Sequence, residues 1–132
     1  MPNFSRDLDV LILEDEALIS FDLEMLISSC GAKSVVCAFD IEQAREALAQ
    51  QKFDIAVLDL NLPDGESTVL VPQLRDAGTA IVFHSGHGQR ADLMARYPYA
   101  EFTAKPAAVA TFKSAFVTAI AKAHGVVPTA EG

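Results

Sequence analysis

The chain has 132 residues, 51% hydrophobic and 21% charged, with a formal net charge of −8. That length and mix describe one globular domain with room for a sizeable core. The acidic balance argues against a nucleic-acid surface, which needs a basic patch, and against an anionic membrane as partner.

No apolar run approaches the ~20 residues of a spanning helix. The start, Met1-Pro2-Asn3-Phe4-Ser5-Arg6-Asp7, lacks a signal-peptide core. Cys30 and Cys37 are too few for a disulfide scaffold and read as free thiols of a cytoplasmic protein. In chain order, Val10-Leu11-Ile12-Leu13 predicts a first buried strand, ending in Glu14-Asp15-Glu16. Leu18, Ile19, Leu23, Leu26 and Ile27 recur at helical spacing from Ala17 to Ser29, and Gly31 closes that helix. Val35 to Ala38 is a second strand. Asp40 caps the next helix, Gln43 completes a capping-box pattern, and Ile41, Ala44, Ala47 and Leu48 turn inward as far as Gln50.

Ile55 to Leu58 predicts a third strand, buried on both faces, with Asp59 at its carboxyl end and a turn at Pro63-Asp64-Gly65. A helix over Ser67 to Asp76 is stopped by Gly78. Ala80 to Phe83 is a fourth strand, ending in His84-Ser85-Gly86, and a short helix covers Gln89 to Arg96. Glu101 to Thr103 is a fifth strand leading to Ala104-Lys105-Pro106. The last helix runs from Ala107 to Ala123 with Val109, Phe112, Phe116, Val117 and Ile120 on one face. Five alternations predict an α/β fold: a doubly wound five-stranded parallel sheet with right-handed crossovers and the flavodoxin-like order 2-1-3-4-5. The expected organisation is a single domain over 1–125 with a flexible tail over 126–132.

Each strand end carries a polar residue that a buried strand does not require. Glu14 and Asp15 follow the first strand, Asp59 the third, Ser85 the fourth and Lys105 the fifth. The strand order makes the first and third strands neighbours at the switch point, so three carboxylates crowd one pocket. A hard divalent cation with oxygen ligands, Mg²⁺, relieves their repulsion. Lys105 and Ser85 add a positive charge and a hydroxyl donor. This grouping suits phosphoryl transfer: Asp59 attacks in line, while metal, Lys105 and Ser85 each take an equatorial oxygen. The acyl phosphate so formed is reactive, and the modification is expected to be transient. Glu14 and Asp15 also read as favourable first-turn charges for the following helix. Phe83 reads as core, and Phe102 as either core filler or switch. His87 is either an exposed loop histidine or a group bordering the site that tunes hydrolysis.

From Asp9 to Ala123 the sequence resembles the receiver domains of two-component response regulators. The resemblance rests on Glu14-Asp15, on Asp59-Leu60-Asn61-Leu62-Pro63-Asp64-Gly65, on Ser85-Gly86 and on Lys105-Pro106, four motifs in order at βα spacing. It implies that the main-chain carbonyl of Asn61 joins Glu14, Asp15 and Asp59 around Mg²⁺, and that Asn61 also tunes hydrolysis. It implies a cis peptide before Pro106, and a switch pair made of Ser85 and Phe102. It further implies a phosphoacceptor that promotes its own phosphorylation and dephosphorylation rather than an enzyme acting on separate substrates. The implied donor is a histidine kinase or histidine phosphotransfer protein. Output would pass to a downstream protein partner, without nucleic acid or membrane, from a monomer or weak dimer. Ser85 stands where many receivers have Thr, and Phe102 lacks the phenol hydroxyl of the family's switch aromatic. The run Phe83-His84-Ser85-Gly86 resembles a variant of the Phe-Ala-Thr-Gly motif of a receiver subgroup typical of alphaproteobacteria. Two other readings compete. A pseudo-receiver keeps the fold as a binding module without phosphorylation. A phosphohydrolase of the haloacid-dehalogenase type needs a second acid two residues past its nucleophile, where this chain has Asn61.

Overall fold

The computed structural model describes residues 4–125, and the expected tail lies outside the described residues. Strands β1 (Asp9–Leu13), β2 (Ser34–Ala38), β3 (Ile55–Leu58), β4 (Ala80–Ser85) and β5 (Glu101–Ala104) alternate with helices α1 (Ala17–Ser29), α2 (Ile41–Gln50), α3 (Val71–Asp76), α4 (Arg90–Arg96) and α5 (Val109–Ala123). The five strands form one parallel sheet in the order β2-β1-β3-β4-β5, as predicted.

Side chains alternate across the strands, so each apolar run supplies two cores. Leu11, Leu13, Ala56, Leu58, Ile81 and Phe83 pack under α2, α3 and α4. Val10, Ile12, Ile55, Val57, Ala80 and Val82 pack under α1 and α5, against Leu23, Ile27, Phe112 and Phe116. Phe83 and Phe102 are both core residues of the first set.

Local rules set the joints around the site. The Asp40 carboxylate accepts the Gln43 N–H at 2.8 Å and caps α2. Gln43 answers through Oε1, which accepts the N–H of Phe39 at 2.8 Å, one residue before the cap. A second carboxylate reaches the same helix end: Asp64 accepts the N–H groups of Ile41 and Glu42 at 2.9 and 3.1 Å. These bonds, Ile41's first, hold the Asp64 carboxyl below its ordinary pKa. Asp64 arrives there on a two-residue antiparallel ribbon, Asn61–Leu62 against Gly65–Glu66. Gly65 has φ +138°, a backbone conformation that side chains rarely adopt, so the turn needs glycine there. The segment over Ser67–Leu70 is a 3₁₀ turn, and the α-helix proper starts at Val71 with Pro72 in its first turn.

Three residues grouped with the apolar helix faces in the sequence lie outside the buried stripes. Leu18 is 81% exposed, and Val109 and Val117 are exposed too. Helix α1 is apolar over most of its circumference, and the side buried against the sheet carries Ser20, Leu23 and Ile27 instead. In α5 the buried stripe is Phe112, Ala115, Phe116 and Ala119. Val117 stands about 100° round from Phe116, and Val109 opens the helix at the rim of a cleft. No helix among the described residues is long and apolar enough to cross a membrane.

Candidate functional site

The site lies at the carboxyl edge of the sheet, where parallel register brings the strand ends level. Leu13 pairs with Leu58, so Glu14 and Asp59 emerge side by side. The backbone tightens this: the Asp59 N–H donates to Leu13 O at 2.8 Å, and the Glu14 N–H to Ala38 O at 3.0 Å. On the other side Ser85 pairs with Ala104, and the Lys105 N–H donates to Ser85 O at 2.7 Å. The Lys105–Pro106 peptide is cis. Glu14, Asp59 and Lys105 therefore come together at this edge, and Ser85 ends the strand next to Lys105.

Carboxylate oxygens of Glu14, Asp15 and Asp59 lie within 4.8 Å of one another. Glu14 is buried, with 1% of its surface exposed, Asp59 is half-buried and Asp15 is exposed. Lys105 Nζ lies between two of them, 2.6 Å from Glu14 Oε1 and 3.0 Å from Asp59 Oδ2. Glu14 Oε2 accepts the N–H of Glu16 at 3.0 Å. Burial still outweighs the ammonium for Glu14 and raises its pKa, and the Asp59 charge adds to the rise. For Lys105 burial opposes the charge, but hydrogen bonds and charge from Glu14 and Asp59 prevail and raise its pKa.

Three carboxylates facing one ammonium leave two negative charges in excess, the charge of one divalent cation. The donor set is all oxygen, which suits Mg²⁺ over softer metals. The residues present thus fit the expected metal. Asn61 stands two residues past Asp59 in the ribbon, paired with Glu66.

Ser85 is buried, and its hydroxyl donates to Gln89 Oε1 at 2.7 Å. Gln89 escaped the sequence reading except as a helix boundary, although its position four residues beyond Ser85 fits one turn of helical loop. The side chain of His87 lies outside the described part of the structure; its backbone opens the 3₁₀ turn His87–Gln89. Phe102 is buried beside Phe83 by register, and the Arg90 guanidinium stands over its ring at 5.8 Å.

His84 precedes Ser85 and points to the opposite face of the sheet. It is 5% exposed, and its ring meets Phe112 edge-on at 6.0 Å. Burial first, then Lys105, depress its pKa to about 4, while Asp59 pulls weakly the other way. An unfolded chain regains the ordinary value near 6.5, so between pH 4 and 6.5 it binds a proton that the folded protein refuses. The resulting stability is complete above pH 6.5 and is lost as pH falls toward 4, on the order of 3 kcal/mol in all. Urea midpoints across that window are expected to fall with pH in the wild type, and His84→Leu is expected to remove that part of the slope. Parallel slopes for the two proteins would contradict the assignment.

An open parallel sheet with an acidic cluster at its switch point defines a flavodoxin-like α/β protein whose polar chemistry sits at the carboxyl edge. Residues 10–116 match the response regulator receiver domain, and the chain belongs to that family. Solved structures agree on the fold. The signal receiver domain of an HD domain-containing protein from Pseudomonas fluorescens Pf-5 superposes with a TM-score of 0.77 at 20% identity, over 91% of either chain. A response regulator receiver domain protein from Clostridium thermocellum gives 0.73 at 19% identity, over 86% of this chain and 94% of that one. The PhyR response regulator REC domain of Erythrobacter litoralis gives 0.71 at 26% identity, over 95% and 97%. No curated protein matches the sequence.

Proposed function

We propose that this receiver accepts a phosphoryl group on Asp59 from a phosphohistidine in a histidine kinase or phosphotransfer protein. The observation that carries the reading is the position of Lys105 Nζ, bridging Glu14 and Asp59 beside a crowded oxygen-rich pocket. An Asp59 oxygen attacks phosphorus in line, the P–N bond breaks, and its electron pair leaves with the donor imidazole. Glu14, Asp15, Asp59 and the main-chain carbonyl of Asn61 are the groups to hold Mg²⁺, which when bound neutralises charge on the transferring oxygens. Lys105 then trades a carboxylate for a phosphoryl oxygen. The Ser85 hydroxyl leaves Gln89 for another, which draws the β4–α4 loop toward Asp59. Phe102, seated in the core next to that loop's strand, repacks with it and carries the change to the α4–β5–α5 side. Output goes to a protein partner through that altered face.

Incubation of the full chain with acetyl phosphate and Mg²⁺ is expected to add one phosphoryl group, read as intact mass. Chelation of the metal with EDTA is expected to abolish the gain, and added Mg²⁺ to restore it. Absence of any gain with Mg²⁺ and both acetyl phosphate and a phosphohistidine donor would leave a binding module only. Steady turnover of p-nitrophenyl phosphate would point to a hydrolase instead.

A further inference from the structure

A cleft of about 510 Å³ opens between α1 and the start of α5, on the sheet face that His84 shares with Phe112. That volume suits a small organic molecule. Its walls are apolar, built from Ile19, Leu23, Leu26, Val109 and Phe112. Its polar features are few and specific. His84 lines the cleft, is nine-tenths buried, and its Nδ1 has no hydrogen-bond partner among the described residues. The register partner of His84 on β5 is Thr103, whose buried Oγ1 is likewise unpaired. Buried polar atoms left unpaired destabilise a fold unless something meets them. The phosphoryl site does not use either one. Glu16 and Asp22 of α1 also line the cleft. Among the described lining residues the one cation is Lys105, already bound to Glu14 and Asp59.

This pattern selects a ligand. An anion would face Glu16 and Asp22 with no uncommitted positive partner. A molecule with no polar group would leave His84 unmet. We propose that the cleft binds a small aromatic amine, its ring on Leu23, Leu26 and Phe112, a ring N–H directed at His84 and its ammonium at Glu16 and Asp22. With a pKa held near 4 by burial, the imidazole is neutral at physiological pH and has a lone pair to offer such a donor. Binding requires no phosphoryl group on Asp59, so it stands or falls apart from the proposed function.

Three probes with one ring system and different charge test it on the ¹⁵N-labelled full chain by NMR titration. Tryptamine carries the ring N–H and the cation, indole lacks the charge, and indole-3-acetate reverses it. Tryptamine is expected to bind in the submillimolar range and to move the resonances of Leu23, Leu26, Phe112 and the His84 imidazole. Indole is expected to bind roughly tenfold more weakly and indole-3-acetate more weakly still. The double variant Glu16→Gln, Asp22→Asn is expected to bring tryptamine to the level of indole, with indole itself unchanged. His84→Leu is expected to weaken both. Equal binding of all three probes, shifts confined to other residues, or no binding would overturn the proposal. So would concentration-dependent shifts at these residues without any probe, which would assign the cleft to a second copy of the chain.

Discussion

Asp59→Ala is expected to remove phosphoryl uptake completely, with no gain in intact mass under conditions that load the wild type. The neighbouring acids are poor substitutes. Glu14 is buried, with one oxygen against Lys105 and the other taken by the Glu16 N–H. Asp15 is exposed, on the solvent side of the cluster. Asp59 alone combines partial burial with a place beside Lys105 at the end of the central strand. The fold is expected to persist, because the backbone bond from Asp59 N–H to Leu13 O survives the substitution and one of three crowded negative charges disappears. Circular dichroism checks the fold in the same sample. A phosphorylated Asp59→Ala protein, with the label mapped to Glu14 or Asp15, would move the acceptor and refute the assignment.

Lys105→Ala is expected to separate metal binding from phosphoryl transfer. In the unmodified protein the ammonium occupies oxygens of Glu14 and Asp59, the same groups proposed to hold Mg²⁺. Its removal takes away a competing cation and leaves the Glu14 and Asp59 charges beside each other and Asp15. Mg²⁺ affinity is therefore expected to rise. Phosphoryl uptake is expected to fall by about 10²-fold, the usual loss when one positioned donor to a developing oxyanion is deleted. Mg²⁺ titration and the rate of mass gain with acetyl phosphate measure the two effects separately. Weaker metal binding in the variant would mean that Lys105 organises the carboxylates rather than competing for them. Lys105→Arg is expected to recover little uptake, since a planar guanidinium cannot take the ammonium's place between two oxygens 2.6 and 3.0 Å away.

The sheet was legible because each strand is a short apolar run followed by a polar residue with a purpose. Val10 to Leu13 and Ile55 to Leu58 admit no other reading once Glu14 and Asp59 end them. The site was legible for the same reason: parallel register converts residues scattered over ninety positions into neighbours. The helix faces were harder. Leu18, Phe21 and Met25 of α1 are as apolar as Leu23, Leu26 and Ile27, so hydrophobic spacing could not tell which stripe meets the sheet; Leu18 stands in solvent. In α5 small alanines share the buried stripe with Phe112 and Phe116, while Val109 and Val117 face outward. Long-range polar contacts were invisible. Asp64 capping α2 from 22 residues away depends on the path of a two-residue ribbon and does not follow from local pattern. Gln89 receiving the Ser85 hydroxyl has a local spacing of four residues, but only the fold of the loop between them makes it a bond.

The order in which the strands join the sheet has a bearing on how the molecule is made. The carboxylates of Glu14, Asp15 and Asp59 come from the first half of the chain, and Lys105 follows the last strand. All three acids are present in any chain that has reached the end of β3, but the ammonium that offsets two of them arrives only with the segment after β5. The charge balance of the pocket is therefore a property of the completed sheet and not of its first half.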